Sequence, residues 1–301
     1  VSTSTPTSTL PEQRRLQLTR QRVRWGDLVF KMLLRLCLAV AVAFLVTLLV
    51  YVVYKGWSRL DPRLWENFPS IRRPERAGAK SALFGTVWVI GLTAVFCLPV
   101  GVFGAIYLEE YADHRKWYNR MIELNIANLA AIPSIVYGIL GLGIIARGFG
   151  FGTTVSTASI TLSLLVLPIV IIASREAIRA VPNSIRNASY GLGATKWQTI
   201  WRQVLPSAVP GMATGSILAL SRAAGEAAPL LLLGGLTYVA YTPDGLMSGY
   251  TVLPIQIYGW ISQSREAFHD LSSAAIVLLL AVIIAMNSIA IYVRNRSQKR
   301  W

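Results

Sequence analysis

Arg222 and Glu226 stand four residues apart in an otherwise apolar run, Leu218-Ala219-Leu220-Ser221-Arg222-Ala223-Ala224-Gly225-Glu226-Ala227-Ala228-Pro229-Leu230. On a helix that spacing puts a guanidinium and a carboxylate on one face, within reach of each other. The run from 208 to 233 is long enough to cross a bilayer. Arg222 then lies about 16 Å from Leu233 at ~1.5 Å rise per residue, near mid-membrane. An isolated charge there costs about 2.5 to 3.5 kcal/mol on the mildest insertion scale, which makes an intramembrane ion a mark of function. The chemistry open to such a pair is the passage or binding of a polar solute; the alternative is a neutral ion pair that only joins helices.

The face that carries the pair favours a pore or a helix interface over lipid. Gly211, Gly215, Ala219, Arg222 and Glu226 follow at steps of three and four, aligning small residues with the charges so that another helix can approach closely. Pro229 lacks an amide hydrogen and frees the carbonyl of Gly225, which predicts a kink beside the charges.

The elements that must position this run are membrane helices. Across 301 residues only 14% are charged, and the mean hydropathy is +0.51, too apolar for an ordinary soluble domain. The net charge of +15 comes from residues between and beyond the apolar runs, where anionic lipid explains them better than nucleic acid does. Cys37 and Cys97 fall in apolar spans with no CxxC and no nearby His, and read as small buried hydrophobes rather than a metal or redox site.

The pattern predicts an all-α chain with six transmembrane helices, at 36–54, 82–108, 126–146, 159–173, 208–233 and 272–293. Residues 1–35 form a tail, disordered at its Ser/Thr-rich start and then basic, through Arg14, Arg15, Arg20, Arg22, Arg24, Lys31 and Arg35. No small-residue cleavage site follows the first span, so it reads as a retained helix rather than a secretory signal. The membrane body is 36–293, with a soluble segment at 174–206 and a basic tail at 294–301. With the termini in the cytoplasm, that side collects nineteen Lys and Arg against nine, which sets the orientation. The basic loop 55–81, with Arg72, Arg73, Arg76 and Lys80, is the discordant piece.

The segment 174–206 reads as two short helices separated by a turn at Gly191 to Gly193 and stopped by Pro206. It resembles the EAA loop of ABC importer permeases: Glu-Ala-Ala, three residues, Gly, nine residues, then Ile-x-Leu-Pro. On this chain the pattern falls on Asn187, Ala188, Ser189, Gly193, Gln203, Leu205 and Pro206. The glycine, the Leu-Pro and every interval agree; Asn187, Ser189 and Gln203 depart, and Asn187 removes a negative charge. The resemblance implies a coupling helix docked into an ATPase subunit, with Gly193, Ala194, Thr195, Lys196 and Trp197 at the contact.

A narrower resemblance covers nearly the whole membrane portion. Ile132-Pro133-Ser134-Ile135-Val136-Tyr137-Gly138, Ser221 through Leu231, and Thr251-Val252-Leu253-Pro254-Ile255-Gln256-Ile257-Tyr258 together are similar to the PstA-type permeases of phosphate importers. This implies a type I ABC importer architecture and a half-translocator paired with a PstC-type permease, two PstB-type ATPases and a PstS-type binding protein. It also implies that the chain binds no cofactor and that ATP and Mg belong to the partner ATPase. Arg is a planar, permanently charged partner for such an anion. The implied pathway residues are Arg222, Glu226, Ser221, Ser134 and Arg175, the last as a second cation or only a headgroup anchor. Glu226 either offsets Arg222 in the empty path or accepts a hydrogen bond from a protonated phosphate oxygen. Other readings are a permease for phosphonate, sulfate or molybdate, a membrane enzyme acting on lipid phosphate, and a self-sufficient channel.

Three further matches fail on context. Gly141-Leu142-Gly143-Ile144-Ile145-Ala146 fits a dinucleotide fingerprint but lies in a span, so it reads as a packing run. Asn187-Ala188-Ser189 matches a glycosylation acceptor on the wrong side of the membrane. No Walker A sequence occurs, so energy must come from a partner. His114 and His269 are lone loop histidines.

Overall fold

The computed structural model describes residues 25–113, 115–235 and 238–297; the N-terminal tail through Arg24, His114 and the end of the basic tail from residue 298 lie outside them. Every element among the described residues is helical apart from one antiparallel bridge between Thr154 and Gly249. Among the described residues five helices are long and apolar enough to cross a membrane, and a bent pair, taken as one span, makes a sixth.

The chain divides into two units, residues 1–51 and 52–301. In the first, the described residues form most of one apolar helix, α1, Trp25–Gly56. It begins at Trp25 rather than at 36, because Lys31 and Arg35 are good helix formers and the helix propagates through them. Cys37 is exposed on it, whereas Cys97, in the second unit, is fully buried.

The second unit is built around α5, Val155–Arg179. Against it pack α2, Lys80–Tyr111, the bent pair α3, Trp117–Ala131, and α4, Ser134–Gly148, and α7, Lys196–Gly225. Between α5 and α7 a short helix, α6, Asn183–Gly191, forms the projecting segment. Beyond α7 come α8, Ala228–Leu232, α9, Leu253–Ile261, and α10, Glu266–Ser297.

Small and hydroxyl residues let α5 sit at the centre. Ser156, Thr157, Ser159, Thr161 and Ser163 are all buried. The Ser159 hydroxyl donates to the carbonyls of Val155 at 2.8 Å and Val89 at 3.2 Å, and Ser163 donates to Ser159 at 2.7 Å and Thr93 at 3.2 Å. Each hydroxyl is thus shared between its own helix and α2, an economical way to join helices where water is absent. On the other side, a Cβ at Gly211 would fall 2.8 Å from the Ala177 Cβ, and one at Gly215 would collide with Ala173. The small-residue stripe is therefore the α7–α5 seam.

Two predicted spans are interrupted. The third starts at Trp117 and turns by 103° between α3 and α4, because Pro133 follows Ile132 and favours extended backbone there. The fifth ends at Gly225: Glu226 is extended, at φ −78° and ψ 112°, and Pro229 opens α8 instead of kinking a continuous helix. Pro206, in turn, does not stop the preceding helix. A wide turn with i to i+5 bonding runs through Ile200–Val204 just ahead of it, where the Leu205 amide donates to Ile200. That geometry moves the i−4 carbonyl with which the proline ring would collide.

The segment after α1 is packed rather than loose. Leu64, Ala77 and Ala79 are buried, and a Cβ at Gly78 would strike the Arg63 carbonyl. Arg59 donates to the Glu75 carbonyl at 3.3 Å and Arg265 to that of Arg72 at 3.3 Å. The discordant basic residues therefore sit on a folded collar. Gly141, first residue of the fingerprint-like run, is buried against Thr161 and Leu233, as a packing run requires. His269 is half-buried, with Nε2 at 2.8 Å from the Gln263 carbonyl.

Candidate translocation site and coupling segment

Arg222 occupies the last turn of α7, and Glu226 is the first residue past its end. The Arg222 Nε lies 3.5 Å from Glu226 Oε1. The two side chains are unequally covered: the guanidinium is 58% exposed and the carboxylate 20%. A helix C-terminus carries partial negative charge on its unpaired carbonyls, which favours a cation in its last turn. The break thus holds Arg222 by backbone dipoles and by Glu226, while leaving most of its donor edge open.

Around this point the chain folds back. α8 seats on α4, where a Cβ at Gly138 would lie 2.7 Å from the Pro229 carbonyl oxygen, so only glycine permits the approach. Ser134, half-buried, opens α4 directly after the bend. The Ser221 hydroxyl donates to Asn287 Oδ1 on α10 at 2.6 Å and is shared with the Ile217 carbonyl at 2.7 Å. Asn287 escapes a reading of the sequence because it is a single amide within the apolar stretch of α10; its signal is that an unpaired amide is costly in a span.

Arg175 is committed elsewhere. Its Nη2 donates to Glu123 of α3 at 3.0 Å and its Nε lies 3.4 Å from Glu109 of α2. One turn on, Arg179 grips Glu109 with both Nε and Nη2 at 3.0 Å. Arg186 of α6 donates to Glu110 at 2.8 Å and to the Ile178 carbonyl at 3.0 Å. These three arginines and three carboxylates tie the ends of α2 and α5 and the middle of α3 to the projecting segment. Sequence reading missed the network because its members come from four stretches; the i,i+4 pair Arg175 and Arg179 and the adjacent Glu109 and Glu110 were the visible traces.

The projecting segment has two arms. Asn187, Ala188 and Ser189 lie on α6. The chain then turns at Gly193, with φ +80°, a left-handed value that other residues adopt only at a cost. Thr195 caps the next helix with Gln198 in a reciprocal capping box. The arms are pinned by Ser189 Oγ to Thr199 Oγ1 at 2.9 Å, and Ala194 donates back to the Ser189 carbonyl at 3.2 Å. Lys196 Nζ sits 4.9 Å over the Tyr111 ring, a cation–π contact to the end of α2. Trp197 packs against Trp201 with the rings inclined at 57° and centroids 5.1 Å apart, and Leu192 at the tip is 90% exposed. Leu205 is buried and Pro206 lies within α7, so both belong to the root of the arm rather than to its tip.

A membrane-helix bundle in the second unit with a broken helix carrying an exposed arginine, and a two-armed projection wired to the helix ends, is the architecture of a transport permease half. A family model for the inner membrane component of binding-protein-dependent transport systems matches residues 98–300, and the chain belongs to that family. It is 34% identical over 266 residues to the phosphate transport system permease protein PstA 1 of Mycobacterium tuberculosis, covering 87% of this chain and 86% of that one. It is 35% identical over 207 residues to the probable ABC transporter permease protein YqgI of Bacillus subtilis, covering 67% and 68%. Among solved structures, a bacterial alginate ABC transporter matches with TM-score 0.62 at 17% identity, covering 91% of this chain and 98% of that one. The MetNI methionine ABC transporter matches with TM-score 0.56 at 19% identity, covering 73% and 94%. The last two establish the fold alone, that of ABC importer permeases.

Proposed function

We propose that this chain is one permease half of an ATP-driven importer of inorganic phosphate, working by alternating access. The observation that carries the reading is Arg222, held at a helix end with its guanidinium open and one carboxylate within 3.5 Å. An oxyanion that enters there meets planar donors able to bind two of its oxygens. Glu226 opposes the anion and keeps it from being held too tightly. Ser221 and Ser134 lie on the same pathway in this reading, while Arg175 serves as a strut because two carboxylates already engage it. The names of the Mycobacterium tuberculosis and Yersinia pestis relatives, both phosphate transport system permease proteins, support the choice of anion.

The partners in this reading are a PstC-type permease, two PstB-type ATPases that hold ATP and Mg, and a PstS-type binding protein. No cofactor resides in this chain. The segment from Asn187 to Trp197 docks on the ATPase, and the Glu109, Glu110 and Glu123 pairs carry its movement into the bundle. Both termini are cytoplasmic, on the lysine and arginine asymmetry. The test is radiolabelled phosphate uptake by Arg222→Ala in the assembled transporter: uptake is expected to fall to background while the ATPase still co-purifies. Near-normal uptake at wild-type membrane levels would remove the site.

A further inference from the structure

An apolar groove between α7 and α10 ends on an arginine that carries no carboxylate partner among the described residues. Val102 of α2, Met212 and Leu220 of α7 and Val293 of α10 line a hollow of about 520 Å³, with Arg294 at its edge. A smaller hollow of about 80 Å³ beside Met286 continues it and shares Ile217, Leu220 and Ala290.

Arg294 is fixed by neutral groups. Its Nη1 donates to Thr214 Oγ1 at 2.8 Å, and Nε and Nη2 donate to Asn295 Oδ1 at 3.2 and 3.0 Å. A guanidinium has five N–H donors, so two remain for an anion. Arg175, Arg179 and Arg186 differ in that each is already paired with glutamate. Arg294 is also the first charged residue after the apolar stretch of α10, which sets it at the boundary between hydrocarbon and headgroups.

The length of the groove identifies the occupant. From Thr214, level with Arg294, to Ala224 the helix rises about 15 Å, half of the ~30 Å hydrocarbon core. That is one leaflet. The polar groups in the walls, Ser216, Ser221 and Asn287, are already hydrogen-bonded within the bundle, so a free anion gains nothing from the largely apolar lining, and a soluble partner cannot reach it. We propose that the groove holds one acyl chain of an anionic glycerophospholipid whose phosphodiester is bound by Arg294. The proposal does not depend on which solute the transporter carries.

The test uses the assembled transporter in mild detergent with two photoreactive lipids, phosphatidylglycerol and phosphatidylcholine, each carrying a diazirine near the end of one acyl chain. Phosphatidylglycerol is expected to label peptides containing Ile217, Leu220 or Met286, and phosphatidylcholine to label them several-fold less. Arg294→Gln should reduce the phosphatidylglycerol label about fivefold, in line with the contribution of one interfacial cation, and Arg294→Lys should keep most of it. Leu220→Trp, which fills the groove and leaves Arg294 in place, should lower the label from both lipids. All three variants are compared only as single, wild-type-sized species on gel filtration; if Arg294→Gln is not recovered as one, Leu220→Trp and the two-lipid comparison decide the case. The proposal falls if the label is spread evenly over all spans, if the two lipids label alike, or if no label enters the groove because a second permease subunit covers it. It also falls if millimolar inorganic phosphate displaces the lipid, which would make Arg294 a station for the free anion.

Discussion

Arg186 donates to Glu110 across 76 residues of chain at 2.8 Å, with the two side chains only 15% and 9% exposed. This pair joins the projecting segment to the end of α2, and the same guanidinium reaches the Ile178 carbonyl at 3.0 Å at the end of α5. In the proposed transport cycle this contact would pass a motion of the projection to two membrane helices at once. Removing one partner of a covered pair leaves the other charge desolvated and alone, at a cost of about 3 kcal/mol. Arg186→Ala is expected to lower the melting temperature of the purified complex and to reduce phosphate uptake more than ATP hydrolysis. Equal loss of both activities, with unchanged melting, would show that the pair transmits nothing.

Gly193 gives a more local prediction. At φ +80° a β-branched residue is strained by about 1 to 2 kcal/mol. Gly193→Val should loosen the arm held by the Ser189 to Thr199 contact and weaken co-purification of the ATPase. Gly193→Asn, which tolerates the left-handed region, should retain it. If pull-down yields are the same for both variants, the tip does not form the contact.

Much of the architecture was legible in the sequence because apolar length and charge placement are local properties. The six spans, the Gly191 to Gly193 turn and the close-packed stripe Gly211, Gly215, Ala219 all follow from short windows. What stayed hidden depends on contacts between distant windows. The bend at Pro133 lies inside an apolar run, where hydropathy carries no signal of backbone direction, and beside the charges Pro229 predicted a kink where the chain makes a full break at Glu226. Pro206 misled for a different reason: a wide helical turn ahead of it absorbs a defect that ordinary helix geometry could not. Arg175 looked available on its helix because Glu109 and Glu123 reach it from two other helices.

The seam between α5 and α7 offers a test of packing without touching any charge. At Gly215 there is no room for a side chain, since even a Cβ would meet Ala173. Overpacking of this kind costs about 1 to 3 kcal/mol. Gly215→Val should lower thermal stability, and the paired change Gly215→Ala with Ala173→Gly should recover most of it. Thermal unfolding of the detergent-solubilised chain, followed by fluorescence, measures both; no recovery in the double variant would mean that the two positions are not in contact.

Glu226 distinguishes a regulator of anion affinity from a structural strut. Its pairing with Arg222 is more than half exposed on the arginine side, so the pair contributes only about 0 to 1 kcal/mol to stability. Glu226→Gln should therefore fold and assemble normally. If the carboxylate competes with the transported anion for Arg222, its neutralisation binds the anion more tightly before it moves. An interaction that deepens the bound state without lowering the barrier slows the cycle. The expected result is a several-fold lower half-saturating phosphate concentration together with a lower maximal uptake rate. An increased half-saturating concentration would instead assign Glu226 to holding the anion, through a hydrogen bond from a protonated phosphate oxygen.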